Sequence, residues 1–175
     1  MQTKHKHYLH SKLYQFNFSL IRTLIIPIVL SLGNLVKAQG NIIIPPLTRQ
    51  SAIAKITLDE SVWNSRDPEK IALLYSPQAN WRDGNTFLAG RRTIVSVLKE
   101  RFANELHYKI SKEVWNISSN KISVNYEEEW QDRSTRIWHH TYGIELDSFD
   151  ENGLVKDRVA SATDKIITVN ERRLN

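Results

Sequence analysis

Glu127, Glu128 and Glu129 form an acidic run a short distance before His139-His140. Carboxylates and imidazoles trade protons readily near neutral pH, so their placement decides whether the chain can do acid–base chemistry. In a strand, alternate residues share a face. Ile122, Val124, Tyr126, Glu128 and Trp130 then form one face of 120–132, and Ser123, Asn125, Glu127, Glu129 and Gln131 the other. The first face is the apolar one and is expected to point inward, with Glu128 between two aromatic neighbours. Desolvation there raises a carboxyl's pKa and makes it a general base or acid. The alternatives are a wet position at a rim or a pairing with an arginine. A one-residue bulge would turn Glu129 inward instead.

On the following strand Trp138, His140, Tyr142, Ile144 and Leu146 share a face. That makes His140 and Tyr142 candidate pocket residues, one able to relay a proton and the other to polarise a carbonyl. A hydrogen-bonded lining histidine is the other reading. Trp81 and Arg82 stand just before the turn Asp83-Gly84-Asn85. Arg82 can grip a substrate carboxylate as a fork, or pair with Asp83 or Asp164. The acidic run beside two histidines suggests a metal at first sight. Adjacent strand residues point to opposite faces, however, so no metal site is expected. With no Gly-rich phosphate loop, nucleophile elbow or His-Glu-x-x-His motif, no cofactor is expected either.

These residues need elements to hold them. Apolar positions at Ala52, Ile53, Ile56, Leu58, Val62 and Trp63 predict a helix over 49–64, started by Thr48. Asp67-Pro68 caps a short second helix to about Tyr75, which Pro77 ends. A short strand over 79–83 and a loop at 87–90 lead to a third helix over 91–104, apolar at Ile94, Val95, Leu98 and Phe102. From Leu106 the period changes to two, and strands are expected over 106–118, 120–132, 136–149 and 154–167. Helices followed by an antiparallel meander read as α+β, the helices packed on one face of a curved sheet. Trp63 and Trp115 read as core, and the tail 171–175 as frayed.

The run Trp63-Asn64-Ser65-Arg66-Asp67-Pro68-Glu69 with Leu74-Tyr75 resembles the opening of the nuclear transport factor two-like superfamily, which includes the SnoaL-like proteins. Trp81-Arg82, Phe87 to Arg91, Tyr108-Lys109 to Trp115, Glu129-Trp130, Trp138, Tyr142-Gly143 and Ser161 to Asp164 narrow the resemblance to a bacterial subfamily without an assigned function. It covers about residues 48–167. It implies a cone, a strongly bent antiparallel sheet around a long helix with a cavity at the open end. It also implies that Asp164 faces that cavity, a solvated strand end or a salt bridge to Lys165 or Arg82 being the other possibility. The candidate catalytic residues are thus Glu128, His140 and Asp164, and the candidate ligand-binding residues Trp81, Arg82, Tyr126, Trp130 and Tyr142. Members of the superfamily include isomerases, dehydratases, cyclases and proteins that only bind or scaffold, so the fold leaves function open. Three functions fit: a pocket for a small, largely apolar ligand, without catalysis; a lyase or isomerase acting on a carbonyl or hydroxyl compound; and an interaction module paired as a homodimer through the outer sheet face.

The formal net charge of +5 does not point to nucleic acid. Five of the 24 basic residues and none of the 19 acidic ones fall within residues 1–38, so the remainder carries no net charge. Its basic residues are scattered, without the patch a phosphate backbone selects. The absence of cysteine excludes disulfides and thiolate chemistry. Residues 1–38 have a basic leader, an apolar run from Leu24 to Leu32 and small Ala38, the layout of a signal peptide. The run is short of the ~20 residues a membrane-spanning helix needs. Cleavage near Ala38 and a periplasmic or secreted product are expected, with no stable span after processing. An uncleaved N-terminal anchor is the alternative.

Overall fold

The computed structural model describes residues 43–174. The leader and its cleavage point lie outside the described residues. Among those residues no helix is long and apolar enough to cross a membrane.

Helix α1 (Arg49–Asn64) opens on a reciprocal capping box between Thr48 and Ser51. Its buried stripe is Ala52, Ile56, Asp59 and Trp63, spaced by about one turn. Ile53 and Leu58 are left exposed. Helix α2 (Pro68–Ala72) is capped by the Asp67 carboxylate, which accepts from the amides of Glu69 and Lys70. It ends before the expected Tyr75 because that residue already pairs with Val155 in strand β1 (Tyr75–Asp83). Pro77 falls in the stretch of β1 between ladder partners Tyr75 and Asn80, where no amide is required. The segment expected to be a loop is strand β2 (Thr86–Ala89), hairpinned to β1 around Gly84, whose φ of +54° suits glycine. Helix α3 (Arg91–Asn104) buries Ile94, Leu98 and Phe102.

Four long strands follow: β3 (Glu105–Ser118), β4 (Lys121–Asp132), β5 (Trp138–Phe149) and β6 (Val155–Ile167). They lie within one or two residues of the positions the period-two pattern predicts. The sheet has six strands in the order β2-β1-β6-β5-β4-β3. All neighbours are antiparallel except β1 and β6, which run parallel. Register shifts in β1, β3 and β5 bend it. The result is the expected α+β fold, an open sheet with its helices on one face. Trp63, Ile71, Ile94 and Leu98 from the helices meet Tyr75, Trp81, Tyr108, Ile110, Ile122, Val124 and Tyr126 from the sheet.

The facing of β5 is the opposite of the sequence expectation. Thr141 is the partner of Glu128 and His140 that of Glu129, and laterally paired residues share a face. The inner face of β5 is therefore His139, Thr141, Gly143, Glu145, Asp147 and Phe149. Tyr142, Ile144 and Leu146 lie on the outer face with Val159, and all four are exposed. Trp115, expected in the core, is 73% exposed.

Glu145, one of the two buried acids of β5, has cationic partners. The Lys112 ammonium lies 2.5 Å from Asp59 of α1 and 2.7 Å from Glu145. Arg158 meets the other Glu145 oxygen through Nε and Nη2, at 2.8 and 2.7 Å. The Glu145 carboxylate is thus neutralised from β3 and β6, and the apolar face goes outward. The C-terminal tail is anchored too. The amides of Arg173 and Leu174 donate to the fully buried Glu129 carboxylate, and the Arg172 guanidinium lies 4.1 Å from the Trp138 ring.

Candidate functional site

Between α3 and the inner face of the sheet lies a cavity of about 390 Å³, within the range of small-ligand sites. Leu88, Val97 and Leu98 supply its apolar wall, Trp81, Tyr126 and Trp130 its aromatic wall, and Asp83, Arg101, Glu105, Glu128, Thr141 and Asp164 its polar groups. Five residues expected from sequence are gathered here: Trp81, Tyr126, Glu128, Trp130 and Asp164.

Glu128 is buried at 4% exposure, as the alternation of β4 predicts. It is locked rather than free. Tyr108 donates its hydroxyl to Oε1 at 2.7 Å, and Arg101 donates Nη2 to Oε2 at 2.6 Å. Arg101 spends its Nε on Glu105 at 2.7 Å. Burial alone would lower the Arg101 guanidinium, but Glu128 and Glu105 outweigh it and hold the charge. Burial, reinforced by the Glu128 carboxylate, pushes the Tyr108 phenol well above its ordinary value, so it remains a donor. Burial and Glu128 likewise push Tyr126 up to about 12.

Asp164 makes the second polar centre. Its Oδ2 lies 2.6 Å from His139 Nδ1, and Oδ1 accepts from the Thr141 hydroxyl at 2.9 Å. The His139 ring stacks on Trp130 with centroids 4.0 Å apart and planes within 5°. A carboxylate at Nδ1 holds the proton there and leaves the Nε2 lone pair as a base, the orienting logic of histidine–carboxylate pairs.

Gly143 sets the shape of the wall. A Cβ at this position would meet the Tyr126 ring at 2.2 Å, so the ring lies across the space a side chain would fill.

Three expected site residues are elsewhere. His140 and Tyr142 follow the outer face of β5. His140 is held between Glu129 at 3.1 Å and Glu127 at 3.0 Å and stacks on Tyr142. Arg82 points away from its cavity-lining neighbour Trp81, donating to the Gly84 carbonyl beside the Phe87 ring. The inner imidazole is His139, one residue from the expected one. Arg101, Glu105, Tyr108 and Thr141 were not expected. For the first two there was a signal: a charged residue on the Ile94-Leu98-Phe102 stripe of α3, with its opposite charge one turn later. Among the described residues, no group of three or more His, Cys, Asp or Glu is arranged to hold a metal ion.

The chain belongs to the family described as "Protein of unknown function (DUF1348)", whose profile matches residues 45–175. No curated protein matches the sequence. Among solved structures it is similar to the epoxide hydrolase/cyclase-like enzyme SalBIII of salinomycin pyran-ring formation, with TM-score 0.60 and 10% identity over 67% of this chain and 97% of that one. It is similar to the BvnE pinacolase of Penicillium brevicompactum, with TM-score 0.57 and 14% identity over 65% of this chain and 86% of the other. A hypothetical protein of ketosteroid isomerase-like fold from Catenulispora acidiphila DSM 44928, in complex with trimethylamine, gives TM-score 0.55 and 9% identity over 62% and 83%. At these identities the likeness is one of fold. That fold is the nuclear transport factor two-like, SnoaL-like one that the sequence resembles.

Proposed function

We propose that this protein holds a small molecule in the cavity between α3 and the inner face of the sheet. The observation that carries the reading is the cavity itself: about 390 Å³, with aromatic and aliphatic walls and a few fixed polar groups. A neighbour of the same fold in complex with trimethylamine supports small-ligand use of such a cone. A thermal-shift screen of fractionated host extract tests it. A fraction should raise the melting temperature of the wild type and not that of Ala162→Phe, which fills the cavity wall. A fraction that stabilises both equally would contradict it.

A second reading is acid–base catalysis, as a lyase or isomerase on a carbonyl or hydroxyl compound. The His139–Asp164 contact at 2.6 Å favours it, and the epoxide hydrolase/cyclase-like enzyme and the pinacolase of the same fold support it. His139 is then the base, Asp164 fixes its tautomer, and Glu128 is a structural anchor for Arg101. Once a substrate is known, His139→Gln should cut kcat by about 10²–10⁴ with KM little changed. An unchanged kcat would leave the binding reading alone.

Two further properties belong to this proposal. The basic leader, apolar run and small Ala38 of residues 1–38 support export to the periplasm or beyond, or a retained anchor. The outer sheet face, with Trp115, Ile144, Leu146 and Val159 around a depression of about 530 Å³, supports pairing with a second copy. Sedimentation of the wild type as a dimer and of Ile144→Arg as a monomer would bear this out; a monomeric wild type would refute it.

A further inference from the structure

We propose that the cavity's ligand is a small organic cation, an alkylated ammonium compound. This deepens the pocket reading and rests on it.

The charge of the walls is the starting point. Asp83, Glu105, Glu128 and Asp164 line the cavity, and Arg101 is the only basic side chain among its lining residues. Arg101 is already committed to Glu105 and Glu128. Asp164 is held by the neutral Thr141 hydroxyl and by His139. Asp83 has its nearest guanidinium, Arg158, 3.8 Å away, and Arg158 is committed to Glu145 by two shorter bonds. Among the described residues that line the cavity, no cationic group is left over for a ligand carboxylate or phosphate. A neutral ligand would shut water away from carboxylates and give nothing in return. A cation is the ligand charge that this wall rewards. The Glu105 carboxyl reports the same imbalance: burial, with Glu128 and Asp164 adding to it, lifts it above its ordinary value despite Arg101.

The aromatic wall sharpens the class. Tyr126 and Trp130 line the cavity beside these acids, and aromatic rings attract alkylated ammonium groups within about 6 Å of the centroid. A bulky ammonium with little hydrogen-bonding demand suits such a wall better than a metal ion, which would need converging oxygen ligands.

Isothermal titration of the purified protein with choline, with its uncharged isostere 3,3-dimethylbutan-1-ol and with tetramethylammonium separates the parts. Choline and tetramethylammonium should each bind at least tenfold tighter than the isostere. Asp164→Asn and Asp83→Asn, at part-exposed positions where folding is not at stake, should each weaken choline and leave the isostere unchanged. Equal binding of choline and the isostere would overturn the cation while leaving the pocket reading standing. Binding of none of the three by the folded protein would overturn the cation too, and the extract screen then decides the pocket reading separately.

Discussion

Lys112 is the residue on which the inverted facing of β5 depends, and replacing it with methionine measures how much. Its side chain is 1% exposed and its ammonium bridges Asp59 and Glu145 at 2.5 and 2.7 Å. Burial works against that charge, but the two carboxylates outweigh it and hold the ammonium above its ordinary pKa. Methionine replaces the stem and removes the charge, so little of the loss is cavity. Glu145 keeps Arg158, whereas Asp59 has no other salt-bridge partner among the described residues. Breaking a buried pair in this way costs roughly 3–5 kcal/mol, against the ~5–15 kcal/mol a domain has in total. The stranded Asp59 escapes part of the cost by taking up a proton. Burial already lifts its pKa in the wild type despite Lys112. A carboxyl raised in the folded state makes stability fall as pH climbs above its unfolded value. The variant's stability should therefore fall as pH climbs above about 4, by at most ~1.4 kcal/mol per pH unit from this group. Urea unfolding followed by tryptophan fluorescence reads this directly, because Trp63 lies 5.3 Å from the Lys112 ammonium. Adding Asp59→Leu should recover at least half of the loss. A single-variant cost below about 1 kcal/mol, or a double variant no more stable than Lys112→Met, would refute the reasoning.

Asp147 is buried with Oδ1 unpartnered, and burial, then Glu145, raises its carboxyl well above the ordinary value. Folding thus takes up a proton there and loses stability as pH rises; Asp147→Asn should remove that slope and unfold later than wild type at about pH 8 in a urea titration. Gly143→Ala pushes a methyl into the Tyr126 ring and should cost about 1–3 kcal/mol by overpacking, with ligand stabilisation in the thermal-shift screen lost alongside. Glu129→Ala should release the C-terminal tail, because its carboxylate accepts the Arg173 and Leu174 amides; hydrogen exchange at those two amides should rise sharply while that of the β3–β4 ladder stays protected.

Much of the fold is local, and local patterns are what a sequence displays. The change from a period of 3.6 to one of two at Leu106 placed all four long strands. The alternation of β4 placed Tyr126, Glu128 and Trp130 on the inner wall. What failed was an assumption about charge. Along β5 the aromatic and aliphatic face was expected inward, but Glu145 and Asp147 face in because Lys112 and Arg158, far away in sequence, meet Glu145. Pairing across separate strands leaves no mark in either strand's own period. The same error moved the expected imidazole from His139 to His140. Asp59 shows the reverse case: an acid on the buried stripe of α1 is a visible sign that a buried cation must exist. The parallel contact of β1 with β6 and the strand character of Thr86–Ala89 come from pairing partners that no local signal names.

The most direct test of the central claim is native mass spectrometry of the protein purified from its own host, wild type beside Ala162→Phe. The account predicts an added mass of one small molecule on the wild type, released by mild activation, and its absence from a folded variant whose cavity wall is filled. An equal added mass on both would place the ligand elsewhere. No added mass on the wild type, even with choline supplied, would contradict the account.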